Sequence, residues 1–144
     1  MQAQELQKRT GCTAPMLKQW VRGGVIIPKA KGRGAGIHAK YDEANLISLA
    51  IALAMKESLA IVVSKYSVGF SELHHWLRHH SMLEWDQYKL LLQPHEATIL
   101  HSRERFNSLS IGIVIDLSKF VGLVTSSVPE LQPQIPLLAL EAIK

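Results

Sequence analysis

A chain of 144 residues, 47% of them apolar, is long enough for one ordinary domain or two very small ones and too apolar to stay disordered. Its single cysteine, Cys12, excludes an internal disulfide and argues for a reducing cytosol, and the polar N-terminus MQAQELQKRT does not look like a signal peptide. The formal charge of +4 is unevenly spread: residues 1–41 hold eight basic side chains against Glu5 alone, a net of +7, while residues 42–144 carry −3. A basic patch confined to one end is the footprint of a phosphate-binding surface.

In chain order, Ala3 to Thr10 is rich in helix formers and stops at Gly11, which predicts a short first helix. Thr13 then stands as an N-cap, with Pro15 in the first turn where its missing N–H is harmless, so a second helix should run from about Ala14 to Arg22 and end at Gly23-Gly24. Helix, tight turn and helix make a helix-turn-helix, in which the second helix enters the major groove. On it Leu17, Trp20 and Val21 share an inward face, leaving Lys18, Gln19 and Arg22 toward solvent or DNA. The next segment, VIIPKAKGRGAGIHAKY, is expected to form a two-stranded wing. Gly32, Gly34 and Gly36 would permit its turn, and Lys29, Lys31, Arg33 and Lys40 would point at phosphates, with His38 on the same segment. The candidate DNA contacts are therefore Thr13, Pro15, Lys18, Gln19, Arg22, Lys29, Lys31, Arg33, His38 and Lys40. Trp20 is expected as a core anchor, and Cys12 as a small turn residue.

The order of these features resembles the N-terminal head of MerR-type winged helix-turn-helix regulators, over roughly the first third of the chain. Gly11-Cys12-Thr13 matches the family's turn, Trp20 its aromatic position, Arg22-Gly23-Gly24-Val25 the exit from its recognition helix, and Tyr41-Asp42-Glu43-Ala44-Asn45-Leu46 the entry to the next helix. Where the family often has Arg or another polar residue early in the recognition helix, this chain has Ala14 and Pro15. The resemblance implies a DNA-binding head followed by a long helix that pairs with a symmetry mate.

After Tyr41, Asp42 should cap a helix dense in apolar residues from Leu46 onward. Val68-Gly69-Phe70-Ser71-Glu72-Leu73 resembles the family's fourth-helix entry but comes about ten residues late, so either the third helix extends through Val62 to Tyr66 or a short helix is inserted. The segment Leu46 to Val63 contains Lys56 and Glu57 and falls short of a membrane span. Histidines cluster at His74, His75, His79 and His80; His75 and His79 lie four apart on one helix face, but no Cys, Asp or Glu within the same helix completes an obvious first shell, so no metal site is assigned and the cluster reads as surface histidines at a helix C-terminus.

Further on, Tyr88 to Leu92 reads as a strand interrupted by Pro94, Glu96 to Leu109 as a helix, Ser110 to Asp116 as a strand, Lys119 to Val128 as a helix, and Leu137 to Ile143 as a last short helix. That alternation suggests a small α/β unit with two parallel strands. The expected fold class is mainly α with small β elements: a winged helix-turn-helix head with its following helix in residues 1–67, and a dimerisation or effector region in 68–144. No catalytic constellation accompanies it, so a non-enzymatic protein is expected, with no cofactor and no assigned small-molecule effector. The function expected is a cytoplasmic, bacterial nucleoid-associated transcriptional regulator binding double-stranded DNA at an inverted repeat as a homodimer. An excisionase-like or architectural accessory protein, or an interaction or ligand-sensing module without DNA binding, is the alternative.

Overall fold

The computed structural model describes residues 1–32, 38–107 and 110–125. Arg33 with the rest of the wing tip, the end of the predicted 119–128 helix and the predicted helix at 137–143 lie outside the described residues. The elements run α1 Ala3–Thr10, α2 Ala14–Arg22, α3 Glu43–Leu59, a 3-10 turn Val63–Tyr66, α4 Ser67–Arg78, a second 3-10 turn Trp85–Gln87, β1 Tyr88–Gln93, β2 Glu96–His101, β3 Ile113–Asp116 and α5 Ser118–Thr125. The fold is mainly α with a small sheet, as expected from the sequence.

Helix α3 is the axis of the core. It begins in a capping box: the Asp42 carboxylate accepts the Asn45 N–H at 3.1 Å, and the Asn45 side-chain oxygen accepts the Asp42 N–H at 3.0 Å. Every residue from Ala44 to Met55 is buried, which a helix achieves only when neighbours surround it. Those neighbours are α1, α4, α5 and the first 3-10 turn. The helix stops at Ala60, a non-glycine residue in the left-handed region with φ 52°, so the inserted short helix, and not an extended α3, accounts for the late arrival of α4. Between Ala44 and Met55 the chain covers the apolar surface of α3 itself, while Leu59 at its end and Val62 beyond it stay exposed. One buried cluster joins α1, α2, α3, α4, the sheet and α5, and both segments 1–67 and 68–144 contribute to it.

The C-terminal topology differs from the sequence-based expectation. Residues 96–101 form a strand, not the start of a helix, because the Pro94-His95 turn folds the chain straight back on β1, with Leu90 opposite Ile99 and Leu91 opposite Thr98. Pro94 thus sits in a two-residue hairpin loop, where its lack of an N–H costs no ladder bond. Strand β3 joins the other side of β1, also antiparallel, giving the order β2-β1-β3. The parallel pairing expected between β1 and the strand at 110–116 is overturned for the same reason: a hairpin strand stands where the crossover helix was expected, and β3 pairs β1 antiparallel. The strand predicted from Ser110 starts only at Ile113.

Gly69 lets α4 lie against this hairpin. A β-carbon there would stand 2.5 Å from the Gln93 carbonyl oxygen, 2.7 Å from a Leu92 methyl and 3.1 Å from the Glu96 carbonyl oxygen. One turn along, the Glu72 carboxylate accepts the Ala97 N–H at 2.7 Å. Helix propensity alone favours alanine over glycine by about 1 kcal/mol, but here the obstacles are mostly backbone and cannot swing aside. Gly69→Ala should therefore lower stability by about 1–3 kcal/mol, measured by denaturant unfolding; a neutral or stabilising result would show that α4 can move off the hairpin freely.

Candidate nucleic-acid interface

The turn between α1 and α2 is ordered by its own small polar groups. Gly11 takes the left-handed conformation, φ 78°, and its N–H returns to the Gln7 carbonyl at 2.8 Å. The Thr10 hydroxyl donates to the Leu6 carbonyl at 2.8 Å and accepts the Cys12 N–H at 3.2 Å. Cys12 is buried and its thiol is pushed up to about 11, first by burial, so it is an inert packing group. Thr13 caps α2 by accepting the Met16 N–H at 3.3 Å.

The two faces of α2 follow from its helical period. Leu17 and Trp20 point into the core at 3% and 4% exposure, while Pro15, Lys18, Gln19 and Arg22 are all exposed. Those four stand at spacings of three, four and seven, which is one stripe along the helix opposite Leu17 and Trp20. Val21 is only half-buried. It borders a groove of about 400 Å³ between α1 and α2, together with Ala3, Gln7, Ala14 and Tyr41. Thr13 is exposed at the head of the helix, and Lys29, Lys31, His38 and Lys40 are exposed along the segment that follows it. Of the expected two-stranded wing, the described residues hold its base: a single antiparallel pair in which the Ala30 N–H donates to the Lys40 carbonyl at 3.2 Å and the Lys40 N–H to the Ala30 carbonyl at 2.9 Å. Arg33 is not among the described residues.

No carboxylate meets Lys18, Arg22, Lys29, Lys31 or Lys40 among the described residues; the ion pair found there is between Arg78 and Asp42 at 2.9 Å. The exposed cations of α2 and of residues 29–40 therefore stand without carboxylate partners among the described residues. Such a surface can hold a row of phosphates.

The wing base is held by residues the sequence reading left out of the site. After α2, the N–H groups of Val25 and Ile26 both bond the Trp20 carbonyl, at 2.9 and 3.2 Å, and both side chains are fully buried. Ile27 is then grasped at both ends of its backbone. Its N–H donates to His74 Nε2 at 3.3 Å, and its carbonyl accepts the Asn45 amide at 2.7 Å and the Arg78 guanidinium at 2.6 Å. Arg78 also pairs with Asp42 Oδ2 and reaches the Asn45 side-chain oxygen at 3.2 Å. His74, grouped from sequence with surface histidines, is 1% exposed, whereas His75 and His79 are exposed with ring centroids 4.1 Å apart. Its position between Leu73 and Leu77 on the apolar side of α4 was the available signal.

No protein-family model, curated protein or solved structure matches the chain. The functional reading therefore rests on this geometry and on the charge pattern.

His74 makes the latch sensitive to acid. Its Nδ1–H donates to the Phe70 carbonyl at 2.7 Å, which leaves Nε2 as the acceptor for Ile27 and requires the neutral ring. Burial first, then the Arg78 charge, pushes its pKa down from 6.5 to about 4. The unfolded chain thus binds a proton that the folded chain refuses, so the contribution is intact above pH 6.5 and is lost as pH falls toward about 4. Burial raises the Asp42 carboxyl, but hydrogen bonds from Arg78 and Asn45 and the Arg78 charge outweigh it and hold it below 3.8, so its contribution is lost only in stronger acid. Unfolding free energy should drop between pH 6.5 and 4.5 with a His74 contribution of up to about 1.4 kcal/mol per pH unit. His74→Gln, whose amide oxygen can still accept from Ile27, should show a shallower slope over that range; parallel curves would mean that His74 does not titrate with unfolding.

Proposed function

We propose that this chain is a sequence-specific DNA-binding transcriptional regulator without enzymatic activity, of the winged helix-turn-helix type, that lays α2 in the major groove and its wing along the adjacent backbone. One observation carries the reading: the exposed stripe Pro15, Lys18, Gln19 and Arg22 runs the length of α2 opposite the buried Leu17 and Trp20. The exposed lysines 29, 31 and 40 add to it beyond α2. A helix presented this way offers both phosphate donors and side chains that reach base edges.

Binding should weaken linearly in log Kd against log salt, because each phosphate contact releases condensed counterion. Lys18→Ala, Arg22→Ala and Lys31→Ala should each reduce that slope by about one unit, read from titrations of labelled duplex at several salt concentrations. A slope unchanged in all three variants would remove this surface from the DNA. Arg33, outside the described residues, is proposed as a further phosphate contact.

We also propose that two copies bind an inverted repeat, with the exposed apolar residues Leu59, Val62 and Val68 around the end of α3 as the surface available for pairing. The burial of α3 within its own chain favours a second reading, a monomer that binds one half-site as an architectural or accessory protein. Sedimentation at micromolar concentration separates them. A dimer that dissociates on Val62→Glu supports the first, and a monomer with full affinity for a single half-site supports the second. Among the described residues, no helix is long and apolar enough to cross a membrane.

A further inference from the structure

The leading end of α2 differs chemically from the rest of its exposed stripe. Ala14 and Pro15 are exposed, yet neither side chain can donate or accept a hydrogen bond, and Pro15 has no N–H. The Thr13 hydroxyl at the N-cap accepts the Met16 N–H at 3.3 Å and keeps its own O–H as a donor before the first helical residue. Within the helix, polar reach begins one turn after Pro15, with Lys18 and Gln19, and ends with Arg22. Pro15 and Arg22, seven residues apart, lie on one line along the helix about 10 Å long, with Lys18 and Gln19 to either side. That length matches about three base pairs at 3.4 Å each.

A recognition helix contacts base edges with its N-terminal residues. In this chain the first two helical residues, Ala14 and Pro15, present hydrocarbon side chains. The one apolar feature that a base pair offers in the major groove is the C5-methyl group of thymine; its other groups there are hydrogen-bond donors and acceptors. A proline or alanine placed over a guanine or a cytosine edge would desolvate those groups without pairing them, which costs free energy. Over a thymine methyl, the same contact removes apolar surface from water on both sides.

We infer that Pro15, with Ala14, is a specificity-determining contact that selects thymine by its methyl group, while the cations further along α2 hold the backbone. The inference rests on the DNA-binding reading above and adds the base class that the leading end accepts.

The test uses the full-length chain and a duplex selected by it from a random pool. Each thymine of the selected site is replaced in turn by uracil, which keeps base pairing and removes only the methyl, and Kd is titrated at fixed salt. At one or two positions per half-site, uracil should weaken binding about threefold to tenfold. Pro15→Ser, checked for folding by circular dichroism, should bind the thymine and uracil duplexes equally at those positions. If uracil is tolerated at every position of a site that is still bound tightly, methyl reading is wrong and DNA binding stands. Discrimination retained in folded Pro15→Ser would overturn the assignment to Pro15. The comparison of thymine and uracil in the native chain does not depend on that variant. A pool from which no sequence is enriched would overturn this inference together with sequence-specific binding.

Discussion

The backbone of Ile27 is the point on which the arrangement of the basic end depends. It leaves the buried pair Val25 and Ile26 and must reach the surface, so its N–H and carbonyl stand at the edge of the core where neither can be left unpaired without a cost of about 1–3 kcal/mol. His74, Asn45 and Arg78 satisfy both groups. Each of the three is also committed elsewhere: His74 to the Phe70 carbonyl, Asn45 to the N-cap of α3, and Arg78 to Asp42. The polar network is fully connected at this point, which gives one position for the chain entering the wing.

A consequence is that the head does not stand on its own elements. Two of the three side chains that hold Ile27, His74 and Arg78, come from α4, and α4 is in turn seated on the β1–β2 hairpin through Gly69 and Glu72. On the far side, Arg9 at the end of α1 donates to the Leu123 carbonyl and, at 3.4 Å, to the Val124 carbonyl in α5. The stripe on α2 and the lysines near it are therefore oriented by contacts that reach the sheet and the last described helix. Displacing α4 would disturb the wing base before it disturbed α2, whose own anchors are Leu17 and Trp20.

The charge distribution has the opposite logic to the core. At the edge of the core, the ion pair found among the described residues holds backbone in place. Outside, the cations of α2 and of residues 29–40 are left without carboxylate partners among the described residues, a state that costs little in water. A surface ion pair at any of these lysines would add little to stability. The two uses of arginine, Arg78 as a partly exposed clamp on the Ile27 carbonyl and Arg22 as an unpaired surface cation, show how context decides the role of one side-chain chemistry.

Local chemistry made the N-terminal elements legible in the sequence: Gly11 at a helix stop, Thr13 as a cap, Pro15 in a first turn and the period of Leu17 and Trp20 each act within four residues, and the structure places α1 and α2 at the bounds they imply. Charge segregation along the chain was likewise visible without a fold. The course of residues 96–101 was not, because Glu96 to His101 carries no strong turn signal and its strand state depends on pairing with β1 across the Pro94-His95 loop. The burial of α3, the role of His74 and the need for glycine at position 69 also lay beyond sequence. Each depends on which surfaces meet: a helix dense in apolar residues can face its own chain or a second copy, and a histidine can be solvated or buried. Only packing of α1, α4 and α5 around α3, and of α4 against the hairpin, decided between them.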